Sequence, residues 1–198
     1  MTGTFVDRAV SNPEQTSVSL FLRRWLANPL RMGSVVPSSR TLCNHVVRCG
    51  WPEPGGVVLE LGAVTGVISR AFLVAVLPAE RLVTVEIDPN LADHLRGTLS
   101  GVEVLECDAR QLADHLPARF RGRITSVVCG IPLVLLPVAE QKRFIDGMEG
   151  VAPGRGFIHF SYCATSPLPA RKHGLTAKRE AWTPLNIPPA SVWRYKPG

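Results

Sequence analysis

The sequence predicts an α/β fold: an N-terminal helical extension leads into a doubly wound, mostly parallel sheet that ends in an antiparallel hairpin. Three observations support this. From residue 57 onward, apolar strand-like runs alternate with helical runs, which indicates βαβ units with right-handed crossovers. The segment before residue 50 has helical periodicity instead. Two short strand-like runs close the chain around the proline-containing NIPPA.

The extension, residues 1–50, contains one strongly amphipathic run. In SVSLFLRRWLANPLR, apolar side chains recur at helical spacing over residues 18–31, with arginines between them. A basic helix that carries Trp25 either lies in a lipid interface or packs on its own domain, and the pattern alone leaves both open. A second short helix, TLCNHVV, follows GSVVPSSR.

Residues 51–198 form the predicted main domain, which begins with the turn-rich GWPEPGG. Its strands are VVLEL, RLVTVEID, VEVLECD, ITSVVCGIP and GFIHFSYC. The helices between them are TGVISRAFLVAVL, NLADHLRGTL, ARQLADHL and PVAEQKRFIDGMEGV. REAWTPL and SVWRYK form the predicted terminal hairpin.

Charge is unevenly distributed along the 198 residues, whose net charge is +6. Residues 1–50 carry +4, residues 51–168 carry −3 and residues 169–198 carry +5. Basic ends favour a polyanionic partner, either nucleic acid or an anionic membrane surface.

Cysteine and apolar patterning indicate the compartment. The five cysteines include no CxxC pair, which disfavours a disulfide framework or a zinc site and suits a reducing cytosol. The histidines lack ligand spacing, so we expect no metal. No apolar run approaches the ~20 residues of a bilayer-spanning helix. We therefore expect a cytoplasmic protein whose membrane contact, at the inner face, is peripheral.

Carboxylates follow three successive strands of the predicted sheet. The strand ends read Glu60-Leu61-Gly62, then Glu86-Ile87-Asp88, then Cys107-Asp108-Ala109, and the fourth continues into Gly130-Ile131-Pro132. In an open α/β sheet, ligands bind beyond these carboxyl ends. The row of acidic groups therefore predicts a cofactor site.

The turn after the first strand helps to choose the cofactor. A GxGxxG fingerprint starting at Gly62 would need glycine at positions 64 and 67, and both are valine. This disfavours a dinucleotide, whose pyrophosphate needs close backbone approach, and no Walker motif is present. S-adenosylmethionine has no phosphate and is cationic. Gly62, Ala63 and Gly66 would lie beneath its methionine part, Glu86 would accept its ribose hydroxyls and Asp108 its adenine amine, with Glu60, Ile87, Ala109 and Gly130 completing the predicted site.

The sequence resembles a broad enzyme family in its cofactor residues and a narrower group of related enzymes in four other segments. ELGAVTG, with Glu86 and Asp108, resembles the Rossmann-like class I S-adenosylmethionine-dependent methyltransferases. NPLRMGSVVPSSR, CGIPLVLLP, HFSYCATSPLP and NIPPASVWRY resemble the bacterial phospholipid N-methyltransferases, which are relatives of the rRNA adenine dimethyltransferases. The resemblance implies successive methylation of the amine of phosphatidylethanolamine at a cytosolic membrane surface, with S-adenosylhomocysteine as product.

One departure from the family affects the cofactor turn. The family turn usually reads ELGPGTG, and here Ala63 and Val64 stand in place of proline and glycine. Val64 is compatible with the turn if its φ is negative. A positive φ would strain a valine and lower cofactor affinity.

Acceptor residues are predicted from the fourth and fifth strands. Tyr162 could contact an amine through its hydroxyl or ring, and a carbonyl of Gly130 or Ile131, fixed by Pro132, could accept a hydrogen bond from it. Ser38 and Ser39 either bind a lipid phosphate or cap the next helix, and Trp25 is a predicted lipid contact.

Two other functions stay open. The first is N6-methylation of adenine in rRNA, which the turn at residues 130–133 disfavours because it lacks a polar side chain and a stacking ring. The second is a methyltransferase-like binding module without catalysis.

Overall fold

The computed structural model describes residues 38–163 and 165–198. The amphipathic run over residues 18–31, with Trp25, lies outside them. The described strands form one seven-stranded sheet in the order β3-β2-β1-β4-β5-β7-β6. They are β1 (Val57–Leu61), β2 (Leu82–Glu86), β3 (Glu103–Glu106), β4 (Ile124–Cys129), β5 (Phe157–Ser161), β6 (Leu175–Thr183) and β7 (Ala190–Pro197).

The first five strands pair in parallel, and β7 pairs antiparallel with both β5 and β6. Among the described residues the α-helices are α1 (Arg40–Cys49), α2 (Val67–Val74), α3 (Pro89–Thr98), α4 (Leu112–His115) and α5 (Val138–Val151). The predicted doubly wound sheet with its C-terminal antiparallel hairpin is thereby confirmed.

Helix α2 ends three residues earlier than its apolar pattern predicts. Leu77 donates its N–H to the Phe72 carbonyl at 3.1 Å, and Val76 donates to Leu73 at 2.9 Å. This is a Schellman arrangement, which requires a left-handed residue after the helix, and Val76 takes that place with a φ of 68°. The chain changes direction at Val76, and the next residue, Leu77, is buried at 3% exposure.

Helix α1 packs on the sheet. Leu42 and Val46 are fully buried in the same apolar cluster as Val58 and Ile158. The boundary predicted at residue 50 therefore falls between a helix and a strand that share one core.

The loops that contain the predicted site residues lie at one edge of the sheet. The loops after β1 to β5 leave from the carboxyl ends of parallel strands. The β6–β7 loop joins them there, because Ser191 at the start of β7 is paired with Ser161 at the end of β5. Within the described ranges, no helix has the length and hydropathy needed to cross a bilayer.

Candidate functional site at the carboxyl edge

The turn between β1 and α2 contains three residues with positive φ. Gly62, Val64 and Gly66 have φ values of 73°, 52° and 74°. Val64 thus adopts the left-handed conformation, at a cost of roughly 1–2 kcal/mol for a residue with a Cβ. In this conformation its backbone N–H donates to Glu86 Oε2 at 2.9 Å. The strained residue therefore fixes one oxygen of the carboxylate at the end of β2.

The turns after β1 and β4 touch where each has a glycine. A Cβ on Gly62 would lie 3.0 Å from Ile131 Cγ1, and one on Gly130 would lie 3.1 Å from the Gly62 carbonyl oxygen. Gly130 donates its N–H to the Leu61 carbonyl at 2.8 Å. The ring of Phe160 borders this contact, with Cζ 3.3 Å from the same Cβ position on Gly130. Because both residues lack a side chain, an open space remains beside the backbone, here called the Gly62–Gly130 cradle, which larger residues would fill.

Glu86 is 1% exposed, and backbone N–H groups hold its carboxylate. Oε1 accepts from Ile87 at 2.8 Å and from Asp88 at 3.0 Å, whereas Oε2 accepts from Val64 alone. Burial raises the pKa of Glu86, and these N–H bonds oppose the shift. Since a carboxylate offers about four acceptor directions, Oε2 is the oxygen with room for a ligand hydroxyl.

Glu60 ties β1 to α2 beneath the turn. Its Oε2 accepts the Ser69 hydroxyl at 2.5 Å, and the residue is 3% exposed. Burial raises the pKa of Glu60 to about 7, opposed by the Ser69 bond and increased by the nearby charge of Glu86. A carboxyl group so placed carries a proton part of the time at neutral pH.

Asp108 is engaged by an arginine that the sequence analysis did not single out. Arg110 Nε lies 3.0 Å from both carboxylate oxygens of Asp108, and Nη2 lies 2.5 Å from Oδ2. Arg110 Nη1 also donates to Glu140 Oε2 at 2.8 Å. The side chains of this triad are 9%, 17% and 8% exposed, in the order Arg110, Asp108, Glu140. The triad joins the β3 end to the first turn of α5 and occupies the acceptor positions of Asp108.

One cavity at this edge gathers most of the predicted cofactor residues. Its volume is about 390 Å³ when the space open to solvent is included. The predicted residues in its lining are Gly62, Glu86, Ile87, Asp108, Ala109, Gly130, Ile131 and Pro132. Val85, Cys107 and Phe144 also contribute to the lining.

The chemistry of this lining fits a nucleoside without phosphates. Apolar side chains and bare backbone dominate, and among the described residues the charged groups that line the cavity are the Glu86 and Asp108 carboxylates. Apolar walls suit a heteroaromatic ring, and the free direction on Glu86 Oε2 suits a ribose hydroxyl. The residues present therefore fit the nucleoside part of S-adenosylmethionine.

Three predicted cofactor residues lie outside this lining. Glu60 is bonded to Ser69. Ala63 packs in a small apolar cluster with Leu95 and Leu99, and a Cβ on Gly66 would lie 2.8 Å from Leu95 Cδ2. Ala63 and Gly66 thus shape the turn against α3, and Glu60 supports it from below.

The predicted acceptor residues divide between the β4 turn and the α1 side of the sheet. Tyr162 is half-buried against the apolar cluster that contains α1. Burial raises its pKa, and the nearby Ser38 side chain opposes the shift. Ser39 caps α1, because its Oγ accepts the Leu42 N–H at 3.2 Å. Trp25 lies outside the described residues.

Sequence reasoning missed Arg110, Phe144 and Phe160. Arg110 stands two residues after Asp108, a spacing that allows an ion pair but does not require one. Phe144 and Phe160 resemble ordinary core aromatics in the sequence. Their place at the site depends on how α5 and β5 pack, which no local pattern encodes. Across the described ranges, no cluster of three or more His, Cys, Asp or Glu side chains could hold a metal ion.

Comparisons with known proteins agree with this geometry. No family model matches the chain. An ornithine lipid N-methyltransferase of Singulisphaera acidiphila is 29% identical over 178 residues, which cover 88% of this chain and 93% of that protein. A ribosomal RNA small subunit methyltransferase A of Kineococcus radiotolerans is 30% identical over 164 residues. That alignment covers 75% of this chain but 52% of the relative, so this chain spans about half of its length.

A solved structure shares the fold. It is the 1,6-didemethyltoxoflavin-N1-methyltransferase of Burkholderia thailandensis, solved with 1,6-didemethyltoxoflavin and S-adenosylhomocysteine bound. The TM-score is 0.63 at 15% identity, with 98% of this chain and 94% of that chain covered.

Proposed function

From the premise that this chain is a class I S-adenosylmethionine-dependent methyltransferase, we propose that it methylates the amine of a membrane lipid headgroup. The Singulisphaera relative, named for ornithine lipid, aligns nearly end to end with this chain. The sequence motifs resemble enzymes that use phosphatidylethanolamine. Both lipids offer an amine nitrogen, so the acceptor class is an amine-bearing lipid.

The turn after β4 carries this proposal. Residues 130–133 read Gly-Ile-Pro-Leu, and Leu133 is fully buried. The turn thus presents no polar side chain and no ring on which an extruded base could stack. It presents backbone carbonyls instead. Ile131 O accepts the Leu133 N–H at 2.8 Å, whereas Gly130 O accepts no hydrogen bond from a described residue. Gly130 O is therefore the carbonyl with both lone pairs free for an amine.

Different residues of the chain have different roles in methyl transfer. When bound, S-adenosylmethionine would supply its sulfonium methyl group to the amine nitrogen: the C–S bond would break as the N–C bond forms, S-adenosylhomocysteine would leave, and the nitrogen would release one proton to solvent. Glu86 and the Gly62–Gly130 cradle position the donor, and positioning is the main source of rate in such a displacement. Gly130 O orients the amine by accepting one of its hydrogens. Tyr162, whose pKa is raised by burial, offers the amine its hydroxyl or its ring face.

Methylation of rRNA adenine is the second candidate. The Kineococcus relative favours it at 30% identity, and the basic ends of the chain suit RNA as well as lipid. The missing polar side chain and ring in the β4 turn argue against it. The coverage of that relative also argues against it, because this chain spans only about half of that protein.

Product analysis tests these alternatives. The full-length protein is incubated with methyl-labelled S-adenosylmethionine and one of three acceptors: phosphatidylethanolamine vesicles, ornithine lipid vesicles or unmodified small-subunit rRNA. We expect label in at least one lipid and none in RNA. Labelled RNA with untouched lipid would reverse the choice of acceptor. Failure of the cofactor to bind at millimolar concentration in calorimetry would leave only a non-catalytic binding module.

Membrane contact by the helix that the sequence predicts over residues 18–31 is part of the same proposal. Residues 18–31 and the two basic ends provide the amphipathic and electrostatic components of peripheral binding. We expect a chain that begins at Gly33 to bind anionic vesicles more weakly than the full chain in a co-sedimentation assay. Equal partitioning of the two chains would exclude this helix as an anchor.

A further inference from the structure

We propose that two uncharged loops at the carboxyl edge form a membrane-docking surface around the mouth of the site. The β4 loop, residues 130–137, joins β4 to α5. The hairpin loop, residues 184–189, joins β6 to β7. This inference rests on the proposed function in one respect: a lipid acceptor requires the mouth of the site to face the bilayer.

Both loops expose large apolar side chains. Val134 and Leu135 in the β4 loop are 41% and 49% exposed, and Val138 at the start of α5 is 44% exposed. In the hairpin loop, Leu185 and Ile187 are 71% and 73% exposed. Neither loop contains a charged residue. Exposed apolar side chains grouped in uncharged loops, unlike scattered single ones, indicate a contact with a membrane or another macromolecule.

The sheet topology places the two loops side by side. The β4 loop leaves the carboxyl end of β4, and the hairpin loop precedes the start of β7, which is paired with the end of β5. Strands β4 and β7 are separated only by β5, so the loops leave the sheet roughly 10 Å apart. The β4 loop begins at Gly130, Ile131 and Pro132, which line the cavity. The β4 loop therefore borders the cavity, and the hairpin loop leaves the same edge of the sheet.

The hairpin loop is held with its polar residue inward. Asn186 is 1% exposed, and its Oδ1 accepts the backbone N–H of Ser39 at 2.8 Å. Its Nδ2 donates to the Pro188 carbonyl at 3.0 Å. The neighbours on either side, Leu185 and Ile187, point into solvent. A loop that buries its amide and exposes its two large aliphatic side chains is arranged for an apolar partner.

Charge complementarity identifies that partner as an anionic bilayer. A 3-10 helix, Ala170–His173, lies beside the first turn of α5, where His173 Nε2 is 2.9 Å from Gln141 Oε1. It exposes Arg171 and Lys172, neither of which forms an ion pair with a described residue. Uncharged apolar loops flanked by exposed cations suit the acyl boundary and the anionic headgroups of a membrane surface.

Vesicle co-sedimentation without cofactor tests the surface. The full-length protein is mixed with vesicles of phosphatidylglycerol and phosphatidylethanolamine. We expect Leu185→Ser/Ile187→Ser to weaken partitioning roughly tenfold, from the lost burial of two aliphatic side chains, and Leu135→Ser to weaken it less. The matched control is Val74→Ser/Val76→Ser. Both valines are 83% exposed, and they lie at the opposite edge, where α2 ends. This control should partition like the wild type.

Further measurements separate the surface from folding and from catalysis. The loop variants should bind S-adenosylhomocysteine like the wild type and methylate a detergent-dispersed short-chain lipid at the wild-type rate. Equal partitioning of the loop and control variants would overturn the proposal. A changed molar mass in solution for Leu185→Ser/Ile187→Ser would assign the loops to a protein contact and also overturn it. If the wild type binds vesicles through the loops but methylates no lipid, the docking surface stands and the proposed function fails.

Discussion

Replacing Val64 with glycine and, in parallel, with alanine isolates the cost of its left-handed backbone. Both variants remove the half-buried side chain and keep the backbone N–H that binds Glu86, so they differ mainly in backbone preference. At a φ of 52°, alanine retains roughly 1–2 kcal/mol of strain that glycine lacks. The greater freedom of glycine in the unfolded chain offsets about 0.4–1 kcal/mol of this. We therefore expect Val64→Gly to be more stable than Val64→Ala by about 0.5–1 kcal/mol.

Urea unfolding followed by circular dichroism measures this difference directly. In thermal unfolding, the same difference corresponds to a midpoint shift of roughly 1–4 °C for a protein of this size. Because the contact to Glu86 is a backbone contact, the affinity of Val64→Gly for S-adenosylhomocysteine should not fall below that of Val64→Ala. An alanine variant as stable as the glycine variant would show that Val64 carries no strain in solution, and the reasoning about the cofactor turn would fail.

Three other variants, one of them with a matched control, probe the carboxylates of the site. Between pH 4.5 and about 7, folded Glu60 binds more protons than the unfolded chain, so stability falls as pH rises through this window, by no more than about 3 kcal/mol. Glu60→Gln should flatten that decline in urea unfolding at pH 5 and 8, and parallel profiles would contradict it. Arg110→Met should lower the free energy of unfolding by about 3 kcal/mol, since it leaves buried carboxylates unpaired, whereas Arg143→Met, at a more exposed pair with Glu140, should cost less than about 1 kcal/mol. Glu86→Ala should abolish S-adenosylmethionine binding in calorimetry, and unchanged affinity would remove Glu86 from the site.

Local sequence patterns were enough to define the parallel strands. The run over β1 is apolar except for Glu60 and is bounded by glycines on both sides, so it predicts Val57–Leu61 as the structure has it. Strand β6 was less predictable and begins four residues before its predicted start. It lies at the edge of the sheet and pairs only with β7. Its first half is largely exposed, so burial imposes no alternation on it.

The depth of each carboxylate in the sheet depends on register, which sequence spacing does not give. Glu60 pairs with Thr84 in the β1–β2 ladder, so it lies two residues deeper than Glu86. In the β2–β3 ladder Glu86 pairs with Glu106, which places Asp108 two residues further out. The three acidic groups look equivalent in sequence, yet only Glu86 and Asp108 line the cavity.

The site chemistry depends on long-range packing in two further places. Valine intrinsically prefers a negative φ, so the left-handed conformation of Val64 follows from the surrounding turn and from Glu86 rather than from the residue itself. Arg110 and Glu140 are 30 positions apart in the chain, and they form an ion pair because α5 packs over the end of β3. The row of carboxylates at the strand ends predicted Asp108 as a site residue, but not the ion pair that Arg110 forms with it.

The last strand in the chain is an interior strand of the sheet. β7 lies between β5 and β6, and Arg194 on it donates to the carbonyl of Cys49 at the end of α1 at 2.6 Å. During synthesis, while the ribosome still holds the residues of β7, one edge of β5 lacks its partner strand and β6 has no strand to pair with. An unpaired edge of this kind is prone to aggregation. A chain cut short before residue 190 would therefore lose far more than the nine residues 190–198.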